Sequence, residues 1–295
     1  MLESLLNDHT VRTVVTGSAM IGAVSGSLGC FAYLRRQSLI GDVVSHSSLL
    51  GIVLAFWLGH IVTGTASRSL WLLTPGAILA GLAALLLTRL ITKETRIKTD
   101  AGLGVMLAIF FGTGMLLLRW IQRSSTIPGR SGLDDYLFGM AAAMTTEDLW
   151  MIAGLGSTSL LLMLLAWNRL KLTTFDAGYA AGLGLRVGLI EIVTLTLLVI
   201  GIVIGLQIVG VVLMIALLVA PAAAARQWTT HLGPMVLVAA AIGSLCAASG
   251  AVISAVGSNL PTGPVIVLLL SITFIVSIFL APKRGLLMRR RSHVD

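Results

Sequence analysis

About nine apolar runs of membrane-spanning length divide this chain of 295 residues. A helix of about 20 apolar residues crosses the hydrocarbon core of a bilayer, and in lipid a helix satisfies its own backbone polar groups. Only 11% of the residues are charged, against about a quarter in soluble domains. The sequence therefore predicts an all-α, polytopic membrane bundle of about nine transmembrane helices, with a range of eight to ten. The runs are 11–34, 39–60, 72–91, 101–120, 148–168, 187–206, 208–225, 233–256 and 263–281.

The apolar stretch from 187 to 225 is too long for a single span, and we expect it to break at Gln207 and Gly210. Glycines in two of the spans have the small-xxx-small spacing that lets helix backbones approach closely. They are Gly22 with Gly26 on the first span and Gly201 with Gly205 on the sixth.

The basic residues predict the orientation of the chain. If the N-terminus is outside, 15 of the 20 lysines and arginines fall on the cytoplasmic side, as the positive-inside rule requires. The net charge of +8 is then explained by topology and by lipid head groups, so no nucleic-acid partner is expected. The C-terminus is predicted to be cytoplasmic. The loop 121–147 is predicted to be external, with an apolar re-entrant or interfacial segment at 136–144.

Asp42 and His46 stand out because they are ionisable residues within the second apolar run. A central Asp costs about 2.5–3.5 kcal/mol on insertion, so such a residue usually faces a partner or a water-filled path. The i, i+4 spacing puts both on one helix face, which makes half of a divalent-metal site. A two-fold related copy would complete a set of carboxylate and imidazole ligands that suits Mn²⁺, Fe²⁺ or Zn²⁺. The alternative is a buried hydrogen bond that only ties two helices together.

Glu191 and His60 are weaker candidates for the metal path. Glu191 follows Arg186 closely, and we expect it to snorkel or to pair with that residue. His60 returns close to the face of His46 about four turns further along the helix. It fits a role in metal entry, although a histidine at a helix end in the membrane interface is the simpler interpretation.

The segment 173–186, TTFDAGYAAGLGLR, joins two spans on the predicted cytoplasmic side. Thr174 or Asp176 could cap the N-terminus of a short helix there. Alanine and glycine dominate its interior and leave a slim surface. It is either an interfacial connector or a docking element for a cytoplasmic partner.

No enzyme signature accompanies these features. The HExxH and GxSxG motifs are absent, and so is the phosphate-binding GxxxxGK[ST]. We therefore expect a non-catalytic transport subunit, with any ATP bound by another chain.

Five stretches together resemble the metal-ion family of ABC-transporter permeases, the membrane subunits of manganese, zinc and iron importers. They occur in the order found in that family and span nearly the whole chain. They are LRRQSLIGDVVSHSSLLGIVLAF (34–56), SGLDDYLFGMAA (131–142), FDAGYAAGLGLRVGLIE (175–191), VGVVLMIALLVAPAAAARQWT (209–229) and LPTGPVIVLLLSITFIVSIFLAPKRGLL (260–287).

This resemblance implies a single permease domain over 1–295, with a type II ABC importer-like fold, in a bacterial plasma (inner) membrane. Its implied partners are a second permease copy or a paralogue, cytoplasmic ATP-binding subunits and an external metal-binding protein. Asp42 and His46 match the residues taken to coordinate the metal. A coupling helix at about 174–186 is implied to dock on the ATPase through Phe175, Asp176, Ala181, Gly182, Leu183 and Gly184.

The sequence therefore favours an ATP-driven importer of Mn²⁺, with Zn²⁺ or Fe²⁺ as the next candidates, in which no cofactor is covalently bound. The alternative is a stand-alone secondary metal or proton transporter with Asp42, His46 and Glu191 as a relay. Such transporters often show repeats and broken helices in both halves, whereas the acid–histidine pair occurs in one half only.

Overall fold

The computed structural model describes residues 9–63, 69–124, 144–211, 214–257 and 260–281, and these residues are mostly helical. We number the helices in chain order. They are α1 His9–Leu34, α2 Leu39–Thr63, α3 Leu70–Glu94, α4 Thr99–Arg123, α5 Thr146–Leu165, α6 Trp167–Phe175, α7 Ala177–Gly182, α8 Val187–Val209, α9 Met214–Trp228, α10 Leu232–Val256 and α11 Thr262–Leu280.

Eight helices in the described residues are long and apolar enough to cross a membrane, which is within the predicted range. The segment that differs is the predicted span 208–225. Its helix, α9, has 15 residues and is therefore about 22 Å long, less than the roughly 30 Å of a hydrocarbon core. The described part of the chain thus contains eight helices of spanning length and one short apolar helix.

The break between α8 and α9 is where the sequence predicts it. Helix α8 ends at Val209, and Gly210 follows with a φ of 77°, a backbone conformation that glycine adopts without a steric penalty. Gly210 and Val211 are buried. Non-helical backbone at membrane depth is tolerated where protein surrounds it, and this turn meets that condition.

Helix α1 lies at the centre of the bundle and packs against α5, α8, α9 and α10. Its closest neighbour is α10, which runs antiparallel to it. A methyl group on Gly22 would collide with the carbonyl oxygen of Gly243, and one on Gly26 would meet the carbonyl oxygen of Ala239. The predicted small-residue packing of the first span is thus confirmed, and it allows the two backbones to touch.

Helix α2 is the second centre of packing, between α3 and α4. A methyl group on Gly51 would collide with the carbonyl oxygen of Gly76 in α3, and one on Gly114 of α4 would meet the backbone of Leu50. On either side of these contacts along α2, Val43, Val44 and Phe56 are fully buried. Apolar packing therefore fixes the position of α2.

The predicted external loop lies mainly in 125–143, outside the described residues. The apolar segment 136–144 falls there except for Met144, which is buried and packs on Gly17. Helix α5 begins with a capping box in which the Thr145 hydroxyl accepts from the Asp148 amide, and the Asp148 carboxylate accepts from the Thr145 amide. Each of these two hydrogen bonds satisfies a backbone N–H at the start of the helix that has no partner within the helix.

The close approach of α1 and α10 generates the first prediction. Gly22→Leu should destabilise the protein by about 1–3 kcal/mol, because the added side chain overpacks a contact between backbones. The measurement is thermal unfolding of the purified protein in detergent. Gly104→Leu is the matched control, since a Cβ on Gly104 meets nothing within 4 Å. Equal melting temperatures for the two variants would contradict the packing described here.

Candidate metal site and docking segment

Asp42 and His46 lie one turn apart on the first half of α2. The Nε2 atom of His46 is 3.2 Å from Oδ1 of Asp42, and the two side chains are 23% and 32% exposed, respectively. At metal–ligand distances of about 2.1 Å, two ligands of one ion lie about 3.0–3.5 Å apart. The pair therefore already has the spacing at which both atoms can bind the same ion.

The His46 ring is held by its surroundings on α2 and α4. Phe111 of α4 packs against it in an edge-to-face arrangement, with ring centroids 4.8 Å apart. The Nδ1 atom is buried and has no hydrogen-bond partner among the described residues. The orientation of the ring thus depends on Phe111 and Asp42.

The two residues belong to the one stripe of α2 that its own bundle leaves uncovered. Asp42, His46, Leu50 and Leu54 recur every fourth residue and are partly exposed, whereas the residues between them are mostly buried. The stripe continues to Leu58, which is 52% exposed. The Asp42 and His46 side chains therefore point away from the core of the bundle.

Asp42 and His46 alone are too few to hold a metal ion. Within the described residues there is no group of three or more His, Cys, Asp or Glu side chains that could do so. Zinc and similar ions take at least three protein ligands in most sites. An ion bound at this pair would therefore need further ligands from outside the described residues.

The structure does not bring His60 to the pair. It lies in the last turn of α2, about 21 Å along the helix axis from His46 at 1.5 Å per residue. Its Nδ1 atom is buried without a partner among the residues described. The entry role stays a prediction.

Glu191 has a structural partner, but not the predicted one. Its Oε2 atom lies 2.6 Å from Nη2 of Arg89 in α3. The pairing with Arg186, one of the two expected alternatives, is wrong: Arg186 precedes α8 as its N-cap, and the Glu191 carboxylate is turned to Arg89 of the neighbouring helix instead. The sequence analysis missed Arg89, although an arginine inside the apolar run 72–91 was a signal of a buried or paired charge.

The segment between α5 and α8 forms two helices and not one. Helix α6 ends at Phe175, and α7 covers only Ala177–Gly182, so the predicted single helix over about 174–186 is wrong in extent. Asp176 separates them with φ −149° and ψ 89°. Gly184 follows α7 with a φ of 78°, and this left-handed residue ends the helical part.

Asp176 is the N-cap of α7, as one of the two alternatives predicted. Its Oδ1 atom accepts a hydrogen bond of 2.8 Å from the amide of Tyr179. Thr174 is not the cap, because its hydroxyl donates to the carbonyl oxygen of Leu170 inside α6. The polar side chain next to the break thus starts the second helix.

The surface of this segment is apolar and open. Phe175, Tyr179 and Leu183 are 57%, 58% and 57% exposed, whereas Ala180 is buried against the bundle. A methyl group on Gly182 or Gly184 would meet nothing within 4 Å. We call residues 174–186 the docking segment. The predicted docking residues are all exposed at one end of the bundle. They are Phe175, Asp176, Ala181, Gly182, Leu183 and Gly184.

This combination of membrane helices and an exposed connecting segment agrees with a family comparison. The model of the ABC 3 transport family matches residues 7–281. The chain belongs to this family. It is a multi-pass membrane permease of the ABC transporter class.

Three similar proteins cover most of the chain. The zinc transport system membrane protein TroC of Treponema pallidum (strain Nichols) is 44% identical over 100% of this chain and 97% of TroC. The manganese transport system membrane protein MntC of Bacillus subtilis (strain 168) is 40% identical over 97% of this chain and 65% of MntC. The structure of PsaBC from Streptococcus pneumoniae in complex with Fab has a TM-score of 0.83 at 28% identity, covering 99% of this chain and 98% of that one.

The capping role of Asp176 generates the second prediction. Asp176→Ala should destabilise α7 by about 0.5–2 kcal/mol, because the Tyr179 amide loses its acceptor. Hydrogen exchange at the Tyr179 amide measures the effect. Asp176→Asn should keep slow exchange, since asparagine also caps helices; fast exchange in both variants would mean that the carboxylate charge, and not the cap, holds the turn.

Proposed function

We propose that this chain is the membrane-spanning permease subunit of an ATP-driven importer of a divalent transition metal. Mn²⁺ is the first candidate, with Zn²⁺ and Fe²⁺ next. The observation that carries the proposal is the Asp42–His46 pair, which has ligand spacing and lies on an uncovered stripe of a membrane helix. A charged residue at this depth needs a partner or a path.

The second half of the metal site comes from a second permease copy or a paralogue. A groove with a volume of about 660 Å³ begins at Leu50, one turn of α2 after His46, and is lined mainly by apolar residues of α2 and α3. It continues the stripe through Leu50, Leu54 and Leu58. A facing protomer would cover this groove and bring a second carboxylate and a second imidazole to the metal. Such a set of O and N ligands suits Mn²⁺, Fe²⁺ and Zn²⁺.

Energy for transport comes from ATP-binding subunits on the cytoplasmic side of the plasma membrane. The docking segment is their contact, since Phe175, Tyr179 and Leu183 are exposed on and around the short capped helix α7. An external metal-binding protein delivers the ion. ATP binding moves the docking segments, and the two protomers rock around the metal path.

A stand-alone secondary transporter is the less supported alternative. Its relay requires Glu191 to exchange protons with Asp42 and His46. Glu191 instead faces Arg89 at 2.6 Å. The co-purification of an ATPase chain separates the two functions, because only the ABC importer needs one.

The third prediction concerns the metal ligands. Asp42→Asn keeps the shape of the side chain but removes its charge, and it should lower Mn²⁺ uptake at least about tenfold, the low end of losses seen when metal-site residues change. The assay is uptake of radioactive Mn²⁺ by cells that express equal amounts of the permease and its partners. Metal analysis of the purified complex should show the same loss.

Asp100→Asn is the matched control, because Asp100 is exposed in the first turn of α4 and is replaced by the same isostere. Its uptake should equal that of the wild type. Normal uptake by the Asp42→Asn variant would remove Asp42 from the transport mechanism.

The fourth prediction concerns the docking segment. Gly182→Trp should reduce recovery of the ATPase with the tagged permease at least about tenfold, because a misfit of 1.4 kcal/mol at an interface already has this effect. The substitution does not strain the permease itself, since the position is open. Quantitative co-purification is the measurement.

Gly154→Trp is the control for the size of the new side chain. Gly154 lies in α5 and is also open, but it is far along the chain from the docking segment and faces outward from the bundle. ATPase recovery equal to that of the wild type in the Gly182→Trp variant would place the contact elsewhere.

A further inference from the structure

The ion pair between Arg89 and Glu191 joins two helices at the end of the bundle that carries the docking segment. Besides its 2.6 Å contact with Glu191, Arg89 donates from Nη1 to the carbonyl oxygen of Gly188 at 3.2 Å. Both contacts are to the first turns of α8, which begins at Val187. One guanidinium of α3 therefore holds the start of α8 at two points.

Gly188 makes room for this arrangement. A methyl group at that position would lie 3.2 Å from Nη2 of Arg89, which is tighter than an ordinary van der Waals contact. The absence of a side chain lets the guanidinium lie directly over the α8 backbone. The sequence thus provides both the charge and the space for the connection.

Arg35 is a third charge in this cluster. It lines the same cavity of about 150 Å³ as Arg89 and Glu191, and its Nη2 donates to the Thr173 hydroxyl of α6 at 3.4 Å. Burial lowers the pKa of Arg35, and the Glu191 carboxylate partly offsets this. The negative charge of Glu191 therefore interacts with two arginines that come from different elements.

The positions of these residues in the chain connect the docking segment to the metal pair. Thr173 comes just before the segment, whereas Gly188 and Glu191 come just after it. Arg35 lies in the short turn before α2, seven residues ahead of Asp42. Arg35 thus contacts the residue just before the docking segment, and Arg89 contacts residues just after it. Arg35 lies in the turn that leads into α2, and Arg89 lies on α3, which packs on α2.

Stability alone does not account for the pair. The side chains of Arg89 and Glu191 are 33% and 36% exposed, and ion pairs with such access to solvent contribute about 0–1 kcal/mol. A geometric role accounts for the contact better: the two long side chains fix the first turns of α8 relative to α3.

We propose that Arg89 and Glu191 are positioning residues that transmit movement of the docking segment to the helices around the metal path. This inference rests on the proposed function. When the segment moves with its ATPase, the first turn of α8 moves with it, and the Arg89 guanidinium carries that displacement to α3, which packs on α2. Helix α8 also packs directly on α3 and α2, so without the pair we expect α3 to follow the docking end of α8 less closely.

The test measures Mn²⁺ uptake per ATP hydrolysed by the complete transporter in liposomes, with its ATP-binding and metal-binding partners. Glu191→Gln and Arg89→Gln should each retain the ATPase subunit and its ATP hydrolysis but lower uptake per ATP by about 5-fold or more, the lower limit of typical coupling between sites. The double variant should lose no more than either single one, because the two residues act as a unit.

Arg89→Lys is the rescue variant, since it keeps the charge next to Glu191 and should recover a large part of the coupling. Arg119→Gln is the control for loss of an arginine, because Arg119 is exposed and bonds only to Gln122 within α4 among its described contacts. It should couple like the wild type. Thermal unfolding of each complex shows whether a variant has lost its fold.

Two results would overturn the inference. One is wild-type uptake per ATP in both glutamine variants. The other is a loss in the double variant equal to the product of the single losses. Failure of the proposed function is a separate outcome, because the wild-type complex itself would then show no ATP-dependent Mn²⁺ uptake.

Discussion

A carboxylate and an imidazole in a membrane helix constrain the rest of this protein. Asp42 and His46 lie 3.2 Å apart on a stripe that the bundle does not cover, and lipid alone is a poor environment for either group. The remainder of α2 is held by contacts that contain no charge, such as those of Val43, Val44 and Phe56. The helix is thus fixed on one side by apolar packing, while its polar groups are left available on the other.

Dependence on apolar packing also explains the glycines at the helix–helix contacts. Gly51 of α2 and Gly76 of α3 let their two backbones touch, as Gly22 and Gly243 do for α1 and α10. Lipid tails are as apolar as leucine, so helix association in a membrane depends on such close packing more than on the hydrophobic effect. Rigid pairs of helices result, and rigid elements can pass a displacement from one end to the other.

Local physical rules predicted much of the fold and the placement of the Asp42–His46 pair. Apolar length identified the spans, Gly210 identified the break, and Asp176 was one of two candidates for the cap. Spacing alone placed Asp42 and His46 on one face. These features depend on residues close together in sequence, so one chain segment at a time was enough to find them.

Features that depend on packing between distant segments were beyond this reasoning. Glu191 pairs with Arg89, about a hundred residues away in the chain, and no periodicity relates the two positions. The length of α9 and the break at Asp176 between α6 and α7 were also missed, because such breaks balance local propensity against tertiary contacts. The family resemblance implied a docking helix in this segment but not the break at Asp176.

The incomplete ligand set has a consequence for how the protein is made. Structural zinc sites contribute the free energy by which their domains fold, so those domains unfold when the metal is removed. On the proposed function, two ligands on an apolar-packed helix would contribute nothing comparable, and we expect the subunit to reach its native state with no ion present. A cell starved of metal would then be able to assemble its permeases before the first ion arrives.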